Sequence, residues 1–430
     1  MMMLTRKDYP SIGETLWTGT LPNGLRLQIV PKPGFATRYA VLAADYGGAH
    51  RRFVLDGQTI DTPAGVAHYL EHKMFDLPNG DNALNILSAN GADPNAFTSS
   101  GMTAYYFACT EGFEENLRML LHFVTTPYFT PETVQKEQGI IAQEIQMGED
   151  SPGNAVFYNL LAQLYGHHPV RDKVAGTVES IAQITDQVLY DCHRVFYAPS
   201  NLCLCVEGDV DPERVRQIAL EELSGEFSPV PKADFGEPEG LCPSQRLRRE
   251  KMAVSAPQFI IGAKVPQAED GQAFLRQQLV SQLALRLLVG YSSPFYNRLY
   301  ENGTLNRDFD YEVYFTAGTG TLLIEGESPD PEAVLAALEE EVARVGREGF
   351  DPARFERAKR ASMGARLRGL EDFDNVCVAL AAGVFEGYCA LDSLGELESV
   401  TAEECLGFVR ENLKPERLAI SIVEPKGANE

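Results

Sequence analysis

Histidine is scarce in this chain, and the second half has none. All seven histidines lie between His50 and His193 of the 430 residues. Imidazole is a common metal ligand and general base in proteins. We therefore expect any such chemistry to belong to the first half.

The sequence also lacks a membrane-spanning stretch, a signal peptide and an excess of basic residues. No uncharged apolar stretch reaches the length of about 18 residues that a membrane-spanning helix needs, and the N-terminus lacks a signal-peptide pattern. Basic residues are outnumbered, with 37 Lys and Arg against 61 Asp and Glu and a formal net charge of −24. Such a surface repels phosphate backbones and anionic lipid. We therefore expect a cytoplasmic protein with neither nucleic-acid nor membrane partners.

The eight cysteines form neither a disulfide nor a metal-ligand pattern. They are scattered and include no C-x-x-C pair, whereas disulfide frameworks are typical of small secreted chains. We expect reduced, mostly buried thiols. Cys203 and Cys205 alternate in an apolar strand pattern and should share its buried face.

The chain is long enough for at least two domains and divides near its middle. Residues 225–246 are rich in proline, glycine and charge, which indicates a linker. We predict a first domain of residues 1–224 and a second domain of residues 247–430.

The two halves repeat one order of elements. Helices starting at Pro131 and Pro352 are each followed by a segment opening Glu-Ser, another helix, a loop and a terminal apolar strand. The two prolines are 221 residues apart, and Ile181 and Val400 are 219 apart. This steady offset predicts a duplicated domain. Strand runs followed by helix runs predict an α+β fold, with two homologous halves that each pack helices on one face of a mostly antiparallel sheet.

The stretch AGVAHYLEHKMF, residues 64–75, places two histidines one helical turn apart in apolar surroundings. Thr62 is expected to cap the helix, with Pro63 at its first position. The imidazoles of His68 and His72 would lie on one face and could bind one ion, and Glu71 could accept a proton from water there. The alternative is a buried polar helix whose histidines bond to backbone carbonyls, but burying this polarity without an ion would be costly.

A catalytic zinc ion needs a third protein ligand. In TVQKEQGIIAQEIQMGED, Val134, Ile141 and Ile145 form an apolar stripe, and Glu137 and Glu144 fall on the same stripe, seven residues apart. Carboxylates are seldom buried unless they are paired or bind a metal. Glu144 as a ligand, with Glu137 supporting the site, would explain both. The alternative is a helix tilted so that both acids reach water.

These residues resemble the pitrilysin/insulinase/mitochondrial processing peptidase family of zinc peptidases, and especially its bacterial YmfH-type branch. The resemblance rests on AHYLEHKMF, the downstream glutamate pair, GADPNAFTSSGMTAYYF, HPVRDKVAGTVESI and YAPSNLCLCVEGDVD. It implies one zinc ion per chain, bound by His68, His72 and Glu144. It also implies that Glu71 is the general base and that Glu137 supports the site.

The resemblance further implies how substrate reaches this site. The segment around Asn95 and Ala96 would offer a strand edge to which an extended peptide adds. The two halves would close like a clamshell around peptides or unfolded segments. The working form would be a homodimer, or a heterodimer with a homologous subunit that lacks the metal motif. The sequence thus predicts a zinc-dependent endopeptidase; the alternatives are a non-catalytic structural or peptide-binding subunit and a zinc amidohydrolase of small molecules.

One pair of residues departs from the family pattern. Members usually carry an Arg and a Tyr seven residues apart in the second half, and these help to bind substrate and the tetrahedral intermediate. Here Tyr300 and Arg307 stand in the reverse order. Either the two exchange roles, or they are ordinary residues and a partner subunit supplies the pair. In the second case the chain alone would be a weak peptidase.

Overall fold

The computed structural model describes residues 3–55, 57–223, 225 and 227–426. Ser224, at the end of the predicted first domain, and Glu226, in the predicted linker, lie outside the described residues. Of the described helices, none alone is long and apolar enough to span a bilayer, although one bent pair, Phe373–Glu386 with Ala390–Ser399, would be by length and composition.

Strands and helices alternate in blocks along the chain. The strands are β1 (Thr5–Tyr9), β2 (Glu14–Thr20), β3 (Arg26–Pro31), β4 (Arg38–Ala44), β5 (Arg52–Leu55), β6 (Gln58–Asp61), β7 (Ala92–Thr98), β8 (Thr103–Cys109), β9 (Leu202–Gly208), β10 (Leu247–Met252), β11 (Gln258–Pro266), β12 (Phe309–Thr316), β13 (Thr319–Glu327) and β14 (Ala419–Pro425). The α-helices are α1 (Val66–Lys73), α2 (Ala83–Ala89), α3 (Phe113–Thr125), α4 (Pro131–Glu149), α5 (Pro152–Leu164), α6 (Val178–Ile181), α7 (Asp186–Phe196), α8 (Pro212–Glu222), α9 (Gly271–Leu288), α10 (Pro294–Glu301), α11 (Pro331–Glu348), α12 (Pro352–Gly369), α13 (Phe373–Glu386), α14 (Ser393–Ser399) and α15 (Ala402–Asn412).

Five strands of the first large sheet, β3-β9-β4-β8-β7, have the same topology as the second large sheet. The first has the order β1-β2-β3-β9-β4-β8-β7 and the second the order β10-β14-β11-β13-β12. In each set of five, the last strand in the sequence pairs in parallel with the earliest one (β9 with β3, β14 with β10), and the pairs that follow are antiparallel. Helices α1 to α7 and α9 to α15 occupy the same places in the two element orders. The α+β fold with two homologous halves is therefore confirmed.

By packing, the chain forms two units, and each takes in one helix from the other repeat. Unit 1 comprises Met1–Ile145, Lys173–Phe235 and Leu367–Leu391, and unit 2 comprises Gln146–Asp172, Gly236–Arg366 and Asp392–Glu430. The chain passes from unit 1 to unit 2 after Phe235, inside the predicted linker 225–246. The predicted domains 1–224 and 247–430 follow sequence order and do not anticipate that α5 joins unit 2 and α13 joins unit 1.

In unit 1, helices of the first repeat cover one face of the sheet, and α13 of the second repeat covers the other face. The prediction of helices on one face did not include this second layer. Leu42 of β4 belongs to the core formed with α1, α3, α4 and α7, whereas its neighbour Val41 belongs to a second cluster that contains α13. Cys203 and Cys205 of β9 lie fully buried in this second cluster. All eight cysteines are free. The prediction that Cys203 and Cys205 share one buried face of the strand is confirmed.

In unit 2, α5 covers one face of the second sheet. Leu160 and Leu164 of this helix share a buried cluster with Ile260 of β11 and Leu323 of β13. Tyr165, just after the helix, donates its hydroxyl to Gly320 O at 3.0 Å. A helix encoded in the first repeat therefore completes the core of the second.

The helix with the histidine pair starts later than predicted. α1 begins at Val66, and its N-cap is Gly65, with a φ of 99° and no side-chain cap. Thr62 instead donates its hydroxyl to Arg51 O at 3.0 Å, so the predicted cap at Thr62 is wrong. A Cβ at Gly65 would lie 2.7 Å from Ala175 O. Both the positive φ and this close approach require glycine before the helix.

Candidate metal centre

Helix α1 presents two imidazoles from a single turn. Tyr69 and Leu70 are fully buried in the core of unit 1 and fix the rotation of the helix. His68 and His72 then lie together on another face, with ring centroids 4.7 Å apart. The spacing of four residues in the sequence therefore brings the two rings side by side.

Helix α4 packs against α1 through an apolar stripe and a hydrogen bond. Val134, Ile141 and Ile145 are the buried residues of α4, which confirms the predicted stripe. The Tyr69 hydroxyl of α1 donates to Val134 O. This contact sets the position of α4 beside α1 and turns two glutamates of α4 toward the histidine pair.

The side chains of His68, His72 and Glu144 converge on one point. His68 Nε2 lies 3.4 Å from Glu144 Oε1, and His72 Nε2 lies 3.5 Å from Glu144 Oε2. One ligand atom of each residue lies within 4.8 Å of the other two. Among the described residues, no other group of three or more His, Cys, Asp or Glu side chains has this spacing.

This spacing fits a small tetrahedral ion. An ion with bonds of about 2.0–2.1 Å to nitrogen and oxygen separates its ligand atoms by about 3.3 Å in tetrahedral geometry. The measured distances of 3.4 and 3.5 Å are close to that value. Two imidazole nitrogens and one carboxylate also form a donor set that catalytic zinc sites use, with a fourth position left for water or substrate.

Glu137 contacts His72 on the side of the ring away from Glu144. His72 Nδ1 lies 3.0 Å from Glu137 Oε1. In the neutral ring, the N–H at Nδ1 therefore donates to the carboxylate, and Nε2 keeps the lone pair that a metal would bind. The glutamate fixes both the tautomer and the orientation of the ring.

The charges of the cluster shift the pKa values of its members. Burial acts to lower the pKa of His72, but the hydrogen bond and charge of Glu137 outweigh it and raise that pKa above its ordinary value. The same hydrogen bond holds the pKa of Glu137 below its usual range, against the opposing effect of burial. The contact with His68 likewise lowers the pKa of Glu144. Both carboxylates are thus ionised near neutral pH, as a cation would require.

The burial argument made from the sequence holds for only one of the two glutamates. The Glu137 side chain is 18% exposed, but that of Glu144 is 48% exposed, so the expectation that Glu144 is buried is wrong. Glu144 therefore contacts both the histidine pair and solvent. His68 Nδ1 is buried and has no hydrogen-bond partner among the described residues.

Glu71 lies beside the cluster without belonging to it. The three-residue group does not include Glu71. Its Oε2 accepts a hydrogen bond of 2.6 Å from Thr98 Oγ1, at the end of β7. Sequence reasoning missed Thr98, because nothing in the local pattern shows which residue the strand end will meet. It also missed Lys73, which is fully buried, pairs with Asp76 and helps to lower the pKa of Glu137.

The predicted peptide-binding residues lie on an edge strand of the first sheet. β7 ends the strand order and pairs with β8, where Asn95 faces Tyr106 and Ala96 faces Tyr105. The Ala96 N–H donates to Asn95 Oδ1 at 2.9 Å. Thr98, which donates a hydrogen bond to Glu71, lies two residues after Ala96 on the same strand.

In unit 2, Tyr300 and Arg307 are neighbours in space. Arg307 Nε donates to the Tyr300 hydroxyl at 3.4 Å, and the Tyr300 ring stacks on Tyr296 with centroids 5.6 Å apart. The Tyr300 residue is 41% exposed. The two residues thus form one exposed group, whichever of the roles considered above they have.

Comparisons with known proteins place this site in context. Residues 54–178 match the insulinase family (peptidase family M16), and residues 183–362 match the peptidase M16 inactive domain. The chain is 34% identical over 429 residues to the uncharacterized zinc protease YmfH of Bacillus subtilis, covering 99% of this chain and 100% of that protein. The residue range of the first match includes His68, His72 and Glu144.

Solved structures are similar over nearly the whole chain. A crystal structure from Alicyclobacillus acidocaldarius, named as an M16-like peptidase, has a TM-score of 0.92 and 31% identity, covering 98% of this chain and 100% of that one. A protease from Helicobacter pylori has a TM-score of 0.83 at 19% identity, covering 95% and 99%. The second likeness concerns the fold alone.

Proposed function

Because the chain belongs to the insulinase family, peptidase family M16, we propose that it is a zinc-dependent endopeptidase that hydrolyses peptides or unfolded segments. The observation that carries this proposal is the convergence of His68, His72 and Glu144, with Glu71 beside them. The relatives named as zinc proteases support the choice of metal. One zinc ion per chain accounts for the whole cluster.

In this proposal His68, His72 and Glu144 bind the ion, and Glu137 orients His72 through Nδ1. When bound, zinc would lower the pKa of water toward about 7 and polarise a peptide carbonyl. Glu71 then accepts the proton of the attacking water and passes it to the leaving amine. The Thr98 hydroxyl donates to Glu71 Oε2 at 2.6 Å and is a positioning group that fixes the orientation of this carboxylate.

We further propose that the edge of β7 binds the substrate backbone. An extended peptide adding to this edge would form main-chain hydrogen bonds as a further strand. The Ala96 N–H would exchange its bond to Asn95 Oδ1 for one to a peptide carbonyl. Backbone recognition of this kind selects extended or unfolded segments and depends little on side chains.

We also propose a partner subunit and a cell compartment for this protein. A homologous partner subunit would supply substrate contacts if Tyr300 and Arg307 do not, and the cell compartment would be the cytoplasm. The competing function is a non-catalytic structural or peptide-binding subunit. Retention of the three converging donors together with the adjacent Glu71 favours the enzyme, because a purely structural subunit has no use for a general base.

The test is peptide turnover by the wild-type chain and by a Glu71→Gln variant, alone and with a candidate homologous partner. We expect Glu71→Gln to lower turnover by about 10²- to 10⁴-fold, the range of a general base, while its zinc content stays equal to that of the wild type. Glu115→Gln, which removes an exposed carboxylate on α3, is the matched control and should cleave normally. Wild-type rates in Glu71→Gln would exclude the base role, and absence of turnover in all wild-type assays would favour the non-catalytic subunit.

A further inference from the structure

The second repeat contains the counterparts of both helices that form the metal centre. α9 occupies the place of α1 in the element order, and α12 that of α4. Helices α4 and α12 both begin at proline, at Pro131 and Pro352, which keeps the offset of 221 residues. The second repeat should therefore have a region equivalent to the metal centre.

The metal ligands are replaced in that region. At an offset of 221, Ala358 and Ala365 stand where α4 has Glu137 and Glu144. α9 contains no histidine, aspartate or glutamate. Without these histidine and glutamate side chains, the region cannot bind a cation as the first repeat would. Because alanine is smaller than glutamate, the replacements also leave space between the helices.

A cavity of about 350 Å³ occupies this space. It is lined by α9, β12, α12 and α14, and Ala365, the counterpart of Glu144, is one of its lining residues. Arg286 of α9 and Arg366 of α12 also line it, and none of its lining residues is acidic. The place where the first repeat gathers carboxylates thus gathers guanidinium groups in the second.

Among the described residues, several arginines of this acidic chain pair with glutamates, but Arg286 does not. Arg276, on the same helix α9, bonds to Glu404 at 2.8 Å, and Arg344, on α11, bonds to Glu341 at 2.7 Å. Arg286 is half-buried, and its guanidinium bonds to the Ser362 hydroxyl at 3.4 Å. No carboxylate in the described part of the chain contacts it.

A half-buried guanidinium without a carboxylate partner is available to bind another anion. Arg366 stands near it as a second cation and donates to Gln282 Oε1 at 2.6 Å. The other lining residues include the apolar Leu279 and Leu283, the aromatic Tyr311 and the neutral polar Gln282 and Ser362. The cavity therefore combines two guanidinium groups with apolar, aromatic and neutral polar side chains.

We propose that the cavity between α9 and α12 binds a small organic anion, a carboxylate or phosphate monoester attached to an apolar group. Arg286 and Arg366 would bind the oxyanion, because the planar guanidinium fork matches its oxygens. Leu283 and Tyr311 would contact the apolar part. The degenerate copy of the metal centre would thus have become an anion site.

The test measures binding of phenyl phosphate and of phenylacetate to the full-length chain by calorimetry at low ionic strength. Benzyl alcohol serves as the neutral comparison. We expect saturable binding of at least one anion, with one ligand per chain, and no saturable binding of benzyl alcohol. Affinity should fall as salt is added.

Arg286→Gln and Arg366→Gln should each weaken binding by at least about tenfold, the loss expected for one charge-assisted hydrogen bond. Arg360→Gln removes the same charge from an exposed position on α12 and should change the affinity by less than about twofold. Arg286→Lys keeps the charge and serves if Arg286→Gln fails to fold; it should also bind more weakly. The proposal is overturned if the wild type takes up neither anion, or if the cavity variants bind as tightly as Arg360→Gln. Because the readout is equilibrium binding, the result is independent of peptidase activity.

Discussion

At the scale of single residues, His72 shows how the fold prepares a ligand. Its Nε2 faces Glu144 while its Nδ1 contacts Glu137 at 3.0 Å. A ring held at both nitrogens loses little orientational freedom when an ion binds, and an anionic partner makes the other nitrogen more basic. Glu137 would therefore act on a bound metal ion through its contact with His72.

The residue-scale prediction concerns Glu137→Gln. The amide can still accept from Nδ1 but no longer carries the charge that raises the pKa of His72. We expect zinc affinity to fall by about 10- to 100-fold, measured by competition with a chromophoric chelator. Glu132→Gln, an exposed change in the first turn of the same helix, should leave the affinity unchanged. Equal affinities in the two variants would exclude a supporting role for Glu137.

The spacing of residues in the sequence predicted which side chains of the site share a helix face. The spacing of His68 and His72 fixes their common face, and the seven-residue spacing of Glu137 and Glu144 fixes theirs. The exposure of Glu144 and the bond from Thr98 to Glu71 could not be predicted. Both depend on how α4 and β7 pack in the tertiary structure, which the local sequence does not determine.

At the scale of elements, a glycine allows α5 to lie close to the second sheet. A Cβ at Gly262 of β11 would lie 2.6 Å from Leu160 Cδ2 and 2.9 Å from Leu322 O. The leucine side chain could move, but the carbonyl belongs to the sheet. Gly262 thus sets the distance between helix and strand.

Gly262→Ala should therefore destabilise the protein, whereas alanine on an open helix surface should not. We expect a loss of roughly 1–3 kcal/mol in the free energy of unfolding, typical of overpacking, measured by urea denaturation. Gly346→Ala in α11 meets no atom within 4 Å and should stabilise by up to about 1 kcal/mol through helix propensity. A Gly262→Ala variant as stable as Gly346→Ala would contradict the close packing of α5.

The order of helices and strands along the chain could be predicted from the sequence better than which helix packs on which sheet. The paired helices at Pro131 and Pro352 indicate the duplication from the sequence alone. The exchange of α5 and α13 could not be predicted in the same way. An apolar helix pattern shows that a helix is buried but not which sheet buries it.

At the scale of the whole molecule, one buried acid links stability to pH. Glu207 of β9 is fully buried, and burial raises the pKa of its carboxyl to about 8, although Lys32 Nζ lies 3.3 Å from Oε1. The folded state then holds this proton over a pH range in which the unfolded chain, with an ordinary pKa of 4.5, has released it. The free energy of unfolding should therefore fall as pH rises from about 4.5 to about 8.

Glu207→Gln should remove the part of the pH-dependent decrease in the free energy of unfolding that this carboxyl causes. At pH 8.5 we expect the variant to be more stable than the wild type by on the order of a few kcal/mol, with the difference shrinking toward pH 5. Thermal unfolding across this pH range measures it, with the exposed Glu403→Gln as control. If the wild type and Glu207→Gln lose stability in parallel, the carboxyl does not hold its proton in the folded state.

The most direct test of the metal centre is the zinc content of the whole chain. After removal of metal with a chelator, a zinc titration of the wild type should reach one ion per chain. His72→Ala and Glu144→Ala should each weaken binding severely, whereas His122→Ala, an exposed histidine on α3, should bind as the wild type does. A wild-type chain that binds no zinc, or His72→Ala and Glu144→Ala variants that bind it equally well, would contradict the account.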